Sequence, residues 1–404
     1  MIFAARFSGP LTTNRGTLMP RRARSHLLLA VAAALALSAC GGGTGSGAPS
    51  AAPPPATPQG PPIAGKDRVV VAWCERFGAP SPVSADGKVH VVTVAALSMP
   101  DGTPIARQTA TLPERSSADA LCGEPRTTTA AADRALFNAD FTLIAGTTPG
   151  TNGNALIATA FTLPGGAPIT GAQPASGSDS APVFQSGTSV IWYATGDRQV
   201  TSRDLATPGA APVSHGAAPG PDFALAGDQP WLRRPLESKP DQVAVSPDGT
   251  TAAGPGPTLW RRTDPASSYA AEYVEPVLIG RPANGRAALP GSEQAPSCDP
   301  SQWIDDLTLL CKGRDNLHLL VFSPDLGRLE SVTTLLPPEQ FRSIESVALS
   351  ADGRSLVYLA SADEHTFLYR LDLAPGAEPT VVGPVSLPPD RVTDPITPRL
   401  IAWL

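Results

Sequence analysis

Between residues 298 and 387 the sequence twice lays out four short apolar runs separated by polar turns. In the second copy Ser346-Val347-Ala348-Leu349 is followed by Ser350-Ala351-Asp352-Gly353, then SLVYLA from Ser355 to Ala360. A polar turn at Ala362-Asp363-Glu364-His365 leads to FLYRLDL (Phe367 to Leu373), and Pro379 to Leu387 offers a fourth run. The first copy reads Gln302-Trp303-Ile304, Asp305-Asp306, LTLLC, Arg314-Asp315-Asn316, LHLLVF, Pro324-Asp325 and SVTTLL. Runs of this length bounded by Asp, Gly and Pro predict strands, because Gly supplies positive φ and Asp bonds its neighbouring backbone. Weaker copies place Gln242 to Ser246 before Pro247-Asp248-Gly249, and Ala181 to Phe184 before Ser186-Gly187. Another places Arg134 to Phe137 before Asn138-Ala139-Asp140. First strands are thus expected near 134, 181, 242, 301 and 346, at spacings of 47, 61, 59 and 45 residues. A four-strand repeat of this length is a propeller blade.

The two ends complete the count. Arg399 to Leu404 has the pattern of a first strand and then stops. Arg68 to Cys74, Val89 to Leu97 and Ile105 to Leu112 supply three strands that lack a first one. One C-terminal strand with three N-terminal strands makes a sixth blade, and closure removes the open sheet edges that invite aggregation. The expected fold is all-β: a six-bladed β-propeller of four-stranded antiparallel blades spanning 67–404. The stretch 206–241 is rich in Ala, Gly and Pro and reads as an irregular insertion holding a strand at Phe223 to Ala226 and covering one face. Composition agrees. Gly 37 and Pro 46 make about a fifth of 404 residues, too many for helix interiors. That share stays below the ~25–30% of a low-complexity chain.

Val245-Ser246-Pro247-Asp248-Gly249 and Leu349-Ser350-Ala351-Asp352-Gly353 resemble the turn that follows the first strand in TolB-type, WD-like β-propellers. The resemblance covers about 134–387. It implies a fold rather than a chemistry, and it points towards protein partners in a cell envelope.

Upstream of the body lies an address. Arg21, Arg22 and Arg24 precede an apolar run of eleven residues, Leu27 to Leu37, too short for the ~20 residues of a membrane-spanning helix but right for a signal-peptide core. The run ends in Leu37-Ser38-Ala39-Cys40, which resembles the lipobox of bacterial lipoproteins, where the Cys is acylated and becomes the first mature residue. The expectation is a signal peptide over 1–39, with translation starting at Met19, and a lipid (palmitate) on Cys40 anchoring the protein to the outer face of the cytoplasmic membrane. Residues 40–66, rich in Gly, Ser and Pro, form a flexible tether. Removing five arginines with the signal leaves 25 basic residues against 36 acidic, a net of −11. Such a body repels nucleic acid, so none is expected as a partner.

Four cysteines remain beyond Cys40. An even number in an exported chain suggests two disulfides. Cys298 and Cys311 flank a hairpin and fall nearly opposite each other, which leaves Cys74 to pair with Cys122. No Cys-x-x-Cys and no neighbouring His pair signals zinc, so no metal or cofactor is expected. The sequence carries no G-x-S-x-G, phosphate-binding loop or H-E-x-x-H, and no catalytic residue stands out. The weak binding candidates are Trp231 with Arg233 and Arg234, a loop-like aromatic beside a basic pair, and Asp363-Glu364-His365, whose donors suit a cation but whose place in a turn suits solvent. The other tryptophans fall roughly one per unit and read as packing between blades. The expected role is a non-catalytic binding or scaffold module for envelope proteins. A loop-built hydrolase or lyase for envelope glycans or peptides, and a small-molecule sensor regulating a membrane partner, are the alternatives.

Overall fold

In the computed structural model the alternating runs form antiparallel sheets arranged as a six-bladed β-propeller. The structure describes residues 61–77, 89–99, 101–113, 115–122, 129–151, 153, 155–171, 176–217, 223–226, 229–232, 243–254, 258–261, 277–279, 287–293, 295–339, 342–362, 365–374, 376–385 and 398–404. Three strands open the body: β1 (Arg68–Phe77), β2 (Val89–Ser98) and β3 (Pro104–Thr111). Two short helices follow, α1 (Asp119–Cys122) and α2 (Ala130–Ala135). The next blade holds β4 (Leu143–Pro149), β5 (Leu156–Thr162) and β6 (Pro168–Thr170). After it come β7 (Ser180–Phe184), β8 (Val190–Ala194), β9 (Gln199–Asp204) and β10 (Val213–Ala217).

A separate hairpin, β11 (Phe223–Ala226) with β12 (Gln229–Leu232), precedes the fourth blade. That blade comprises β13 (Ala244–Val245), β14 (Thr251–Gly254), β15 (Thr258–Arg261) and β16 (Val277–Leu278). The fifth contains β17 (Asp299–Trp303), β18 (Thr308–Lys312), β19 (Leu317–Phe322) and β20 (Leu329–Leu336). The sixth contains β21 (Ser343–Leu349), β22 (Ser355–Ala362), β23 (His365–Asp372) and β24 (Thr380–Pro384). Finally β25 (Arg399–Trp403) pairs antiparallel with β1, and the order β25-β1-β2-β3 closes the ring.

Three features depart from the strand pattern expected above. The first strand expected at 134–137 is the end of α2 followed by one bridge, Phe137 to Ile144. The backbone of Leu136 still accepts from Ala145 N at 2.7 Å, so a stub of inner strand survives. Secondly, Val213–Ala217 inside the expected insertion is the fourth strand of the β7–β10 blade. Its side chains are largely exposed, as those of an outermost strand can be, so it lacks the apolar run that marks the inner strands. Thirdly, the folded body starts before residue 67: Ile63 is 1% exposed in the core, and Arg68 donates to the carbonyls of Pro62, Ile63 and Ala64.

The core lies between blades. One layer packs Val70, Val92 and Val94 of the closing blade against Phe137, Ile144 and Phe161 of the next. Another packs Val69, Val71 and Leu400 against Val357, Leu359 and Leu368. A third joins Leu310 and Leu317 to Leu356, Tyr358 and Leu371. Trp73, Trp192, Trp260 and Trp303 are buried among these sheets. Trp303 donates to Ala244 O at 3.1 Å and so links the inner strands of adjacent blades.

The Asp-Gly turns share one hydrogen-bond pattern. Ser246 Oγ donates to Asp248 Oδ1 at 2.6 Å and accepts from Thr251 N at 3.0 Å. Ser350 Oγ donates to Asp352 at 2.6 Å and accepts from Ser355 N at 3.0 Å. Gly249 and Gly353 hold φ of 72° and 66°, the left-handed region that costs Gly nothing. Ser323-Pro324-Asp325 repeats the pattern between third and fourth strands rather than first and second. Both expected disulfides are present, Cys74–Cys122 and Cys298–Cys311. Among the described residues no helix is long and apolar enough to cross a membrane.

Candidate functional site: a helix in the channel mouth

A propeller surrounds a central channel with the first strand of each blade. Here α2 packs against four such strands, β13, β17, β21 and β25, and therefore occupies the channel. Its sequence, AAADRA, suits a confined helix: Ala is the best helix former, and its methyl groups fit where longer side chains would clash. Thr129 caps it by accepting from Ala132 N at 3.2 Å, and its hydroxyl donates to Val243 O beside β13. A six-residue helix is marginal alone, so the surrounding strands hold it.

The central contact is ionic. Asp133, in α2, accepts from Arg399 Nη1, the first residue of β25, at 3.2 Å. Their side chains are 3% and 10% exposed. A buried pair of this kind adds little net stability over apolar packing, but losing one partner strands a charge. Lys312, the last residue of β18, donates to Ile344 O at 3.1 Å and Glu345 O at 3.4 Å. Burial pushes its ammonium below the ordinary lysine range, while the charges of Glu345 and Asp299 pull the other way. Asp299, Glu345 and Arg399 lie at the beginnings of their inner strands, so the charged groups gather at one end of the channel. The Asp-Gly turns that follow inner strands lie at the opposite end.

Arg134, next along α2, donates to Phe137 O at 2.7 Å and lies 4.6 Å from the centre of the Phe141 ring. Burial lowers its pKa, yet a guanidinium stays charged. Arg134 therefore fastens the exit of the helix to the stub of inner strand. These charges are consumed by the fold: Asp133 by Arg399, Lys312 by two carbonyls, Arg134 by the chain that follows it. The β11 hairpin strand also packs against α2, β7 and β13, which sets Phe223–Ala226 beside the filled mouth.

The binding candidates from sequence do not converge here. Trp231 pairs with Ala224 in the β11–β12 hairpin. Cys40, Arg233, Arg234, Asp363 and Glu364 lie outside the described residues. His365 begins β23, exposed and edge-on to Phe367 at 6.4 Å. Two other histidines sit inside sheets. His318 contacts Asn316 Oδ1 at 3.1 Å and Thr334 Oγ1 at 3.2 Å, and His215 stacks on Trp192 at 4.2 Å while bonding Ser202 Oγ at 2.8 Å. Burial lowers the pKa of both. Between the β4–β6 and β7–β10 blades, Asp179 accepts from Ala158 N at 3.0 Å, and burial raises its pKa.

The channel residues were missed because no local signal joins them: Asp133 and Arg399 are 266 residues apart. The one available hint was Thr129 ahead of an Ala run, an N-cap signature.

No protein-family model matches the sequence, and no curated protein matches it. Solved structures do resemble the fold. TolB from Acinetobacter baumannii aligns at 12% identity and a TM-score of 0.35, covering 83% of this chain and 67% of that one. An oligogalacturonate lyase from Vibrio parahaemolyticus aligns at 10% identity and 0.31, covering 80% and 75%. The Swd1 β-propeller domain from Myceliophteria thermophila aligns at 11% identity and 0.29, covering 78% and 86%.

Proposed function

We propose that the protein is a non-catalytic recognition module, a lipid-anchored propeller that holds other envelope proteins by its loops and blade edges. The observation that carries this reading is α2. A propeller enzyme or small-molecule receptor uses the channel mouth as its concave site. Here the chain fills that mouth itself and uses the Asp133–Arg399 pair to keep the helix in place. Recognition is left to the rim and the outer strands. Two disulfides fit an oxidising, extracytoplasmic compartment. The Leu37-Ser38-Ala39-Cys40 sequence supports acylation at Cys40, and the stretch after it supports a tether. Two or more acyl chains, at ~0.8 kcal/mol per buried CH₂, hold such a protein stably on a membrane.

Two linked measurements test the proposal. Metabolic labelling with a palmitate analogue should mark the wild-type protein and leave Cys40→Ser unlabelled. Crosslinking in intact cells should then capture one reproducible envelope protein, with capture lost when the body is released as Cys40→Ser. An unlabelled wild type refutes the anchor. A purified body that turns over members of a glycan or peptide panel, with no protein captured, refutes the recognition role.

A further inference from the structure

We propose that Cys74, His90 and Cys122 form a redox-gated site for one thiophilic divalent metal ion of the zinc class. The donor atoms of these residues, two Sγ and an imidazole nitrogen, all lie within 4.8 Å of one another. Topology explains the cluster. Cys74 pairs with Val92 across β1 and β2, so His90, two residues before Val92, projects from the same face of the sheet. Helix α1 packs on β1 and β2 and brings Cys122 to that face. His90 is 7% exposed and Cys122 is 3% exposed, among Ala118, Leu121 and Val92. Two thiolates and an imidazole are the donors that zinc prefers, with Zn–S about 2.3 Å and Zn–N about 2.0–2.1 Å. Those lengths set tetrahedral donors within about 4 Å of each other, so once the bond between them is reduced the two sulfurs need only part to that spacing, with the imidazole already within 4.8 Å of both. Three protein ligands leave the fourth position open to water. The residues stand 16 and 32 positions apart in the chain, far from any zinc spacing motif, which is why sequence reading discards the metal.

In this structure the two sulfurs are bonded to each other, which is the oxidised form. A dithiol reductant interconverts the forms. Its two sulfurs join in a new disulfide, the electron pair passes to Cys74 and Cys122, and its two protons follow. A divalent ion then takes both thiolates and the His90 nitrogen, and the two thiol protons leave. Oxidation by a disulfide oxidant runs the same steps backwards and expels the metal. The consequence is local. Cys122 lies seven residues before Thr129, the cap of the channel helix, so metal and disulfide are alternative pins for the segment that enters the channel.

Cobalt is the probe, because tetrahedral thiolate coordination gives it intense visible bands and a near-ultraviolet charge-transfer band. The full chain is made as Cys40→Ser/Cys298→Ser/Cys311→Ser, reduced with a phosphine, and titrated anaerobically. One equivalent of Co²⁺ should bind, and zinc should displace it. In the same background His90→Asn should bind at least about 100-fold more weakly, beyond the 10–100-fold that loss of a hydrogen bond to a ligand costs. The unreduced protein should bind none. If reduction loosens the fold, zinc should raise the melting temperature of the reduced protein and leave the reduced His90→Asn protein unmoved. A folded, reduced protein that takes up no cobalt overturns the proposal. So does equal binding by His90→Asn, or a loosened reduced protein that zinc does not stabilise.

Discussion

The β21–β24 and β4–β6 blades hold equivalent places in the ring but use their first segment differently. In the former, Ser343–Leu349 runs as a full inner strand, and the Ser350-Ala351-Asp352-Gly353 turn sends the chain back as β22. In the latter, the segment before β4 coils into α2, leaves one bridge at Phe137, and enters the channel. The difference is chemical. Ser343–Leu349 buries Ile344 and the run Ser346 to Ala348, and its Ile and Val suit a pleated surface. Ala130–Ala135 has no β-branched residue and bears a carboxylate that meets Arg399. One blade completes the channel wall, and the other gives up wall to fill the lumen.

Each prediction strikes one side of this contrast. Deleting 399–404 removes the strand that closes the ring and the ion-pair partner of Asp133. Two buried aliphatic side chains, Leu400 and Ile401, go with it, at roughly 2–5 kcal/mol each. That exceeds much of the ~5–15 kcal/mol a domain has, so circular dichroism should find no cooperative melt. Arg399→Leu alone keeps the strand but removes the guanidinium that pairs with buried Asp133, and chemical denaturation should register a loss of about 3–5 kcal/mol. Adding Asp133→Leu should recover most of it; if the two losses simply add, the pair is not what joins helix to strand. Opening Cys298–Cys311 by Cys→Ser at both positions, a loop of separation 13, should cost roughly 3 kcal/mol and leave the α2 contrast untouched.

The turns give the smallest effect. Ser350→Ala should lower stability by about 1 kcal/mol, the worth of a typical hydrogen bond, and Ser246→Ala by a similar amount. The turn also sets a pH dependence. The Ser350 hydroxyl and the Arg354 amide hold Asp352 below its ordinary 3.8. Its folded pKa is thus depressed, so its contribution is complete above 3.8 and is lost as pH falls below that value. Urea melts of Asp352→Asn and wild type should converge as pH drops through this window. A gap that persists under acid contradicts the assignment.

The same contrast explains which parts of the molecule could be read from sequence. β21 to β23 were legible because short apolar runs and polar turns, one of them Asp-Gly, coincide. Closure by β25 was legible because three strands at one end lacked a partner supplied at the other. Helix α2 was not, because regular blade spacing argued for a strand where Thr129 and three alanines argued for a helix, and the helix wins only with a channel around it. β10 escaped because an outermost strand buries little. Cys74, His90 and Cys122 escaped as a cluster because a sheet register and a helix contact, not spacing, bring them together.

The central claim is that α2 sits inside the propeller rather than on it. Residue-resolved amide hydrogen exchange tests it directly, because a six-residue helix has almost no protection of its own. The Ala132 and Asp133 amides, bonded to Thr129 Oγ1 and Thr129 O, should exchange as slowly as those of β21 and β22, only through global unfolding. Exchange orders of magnitude faster than in those strands would put the helix outside the channel and contradict the account.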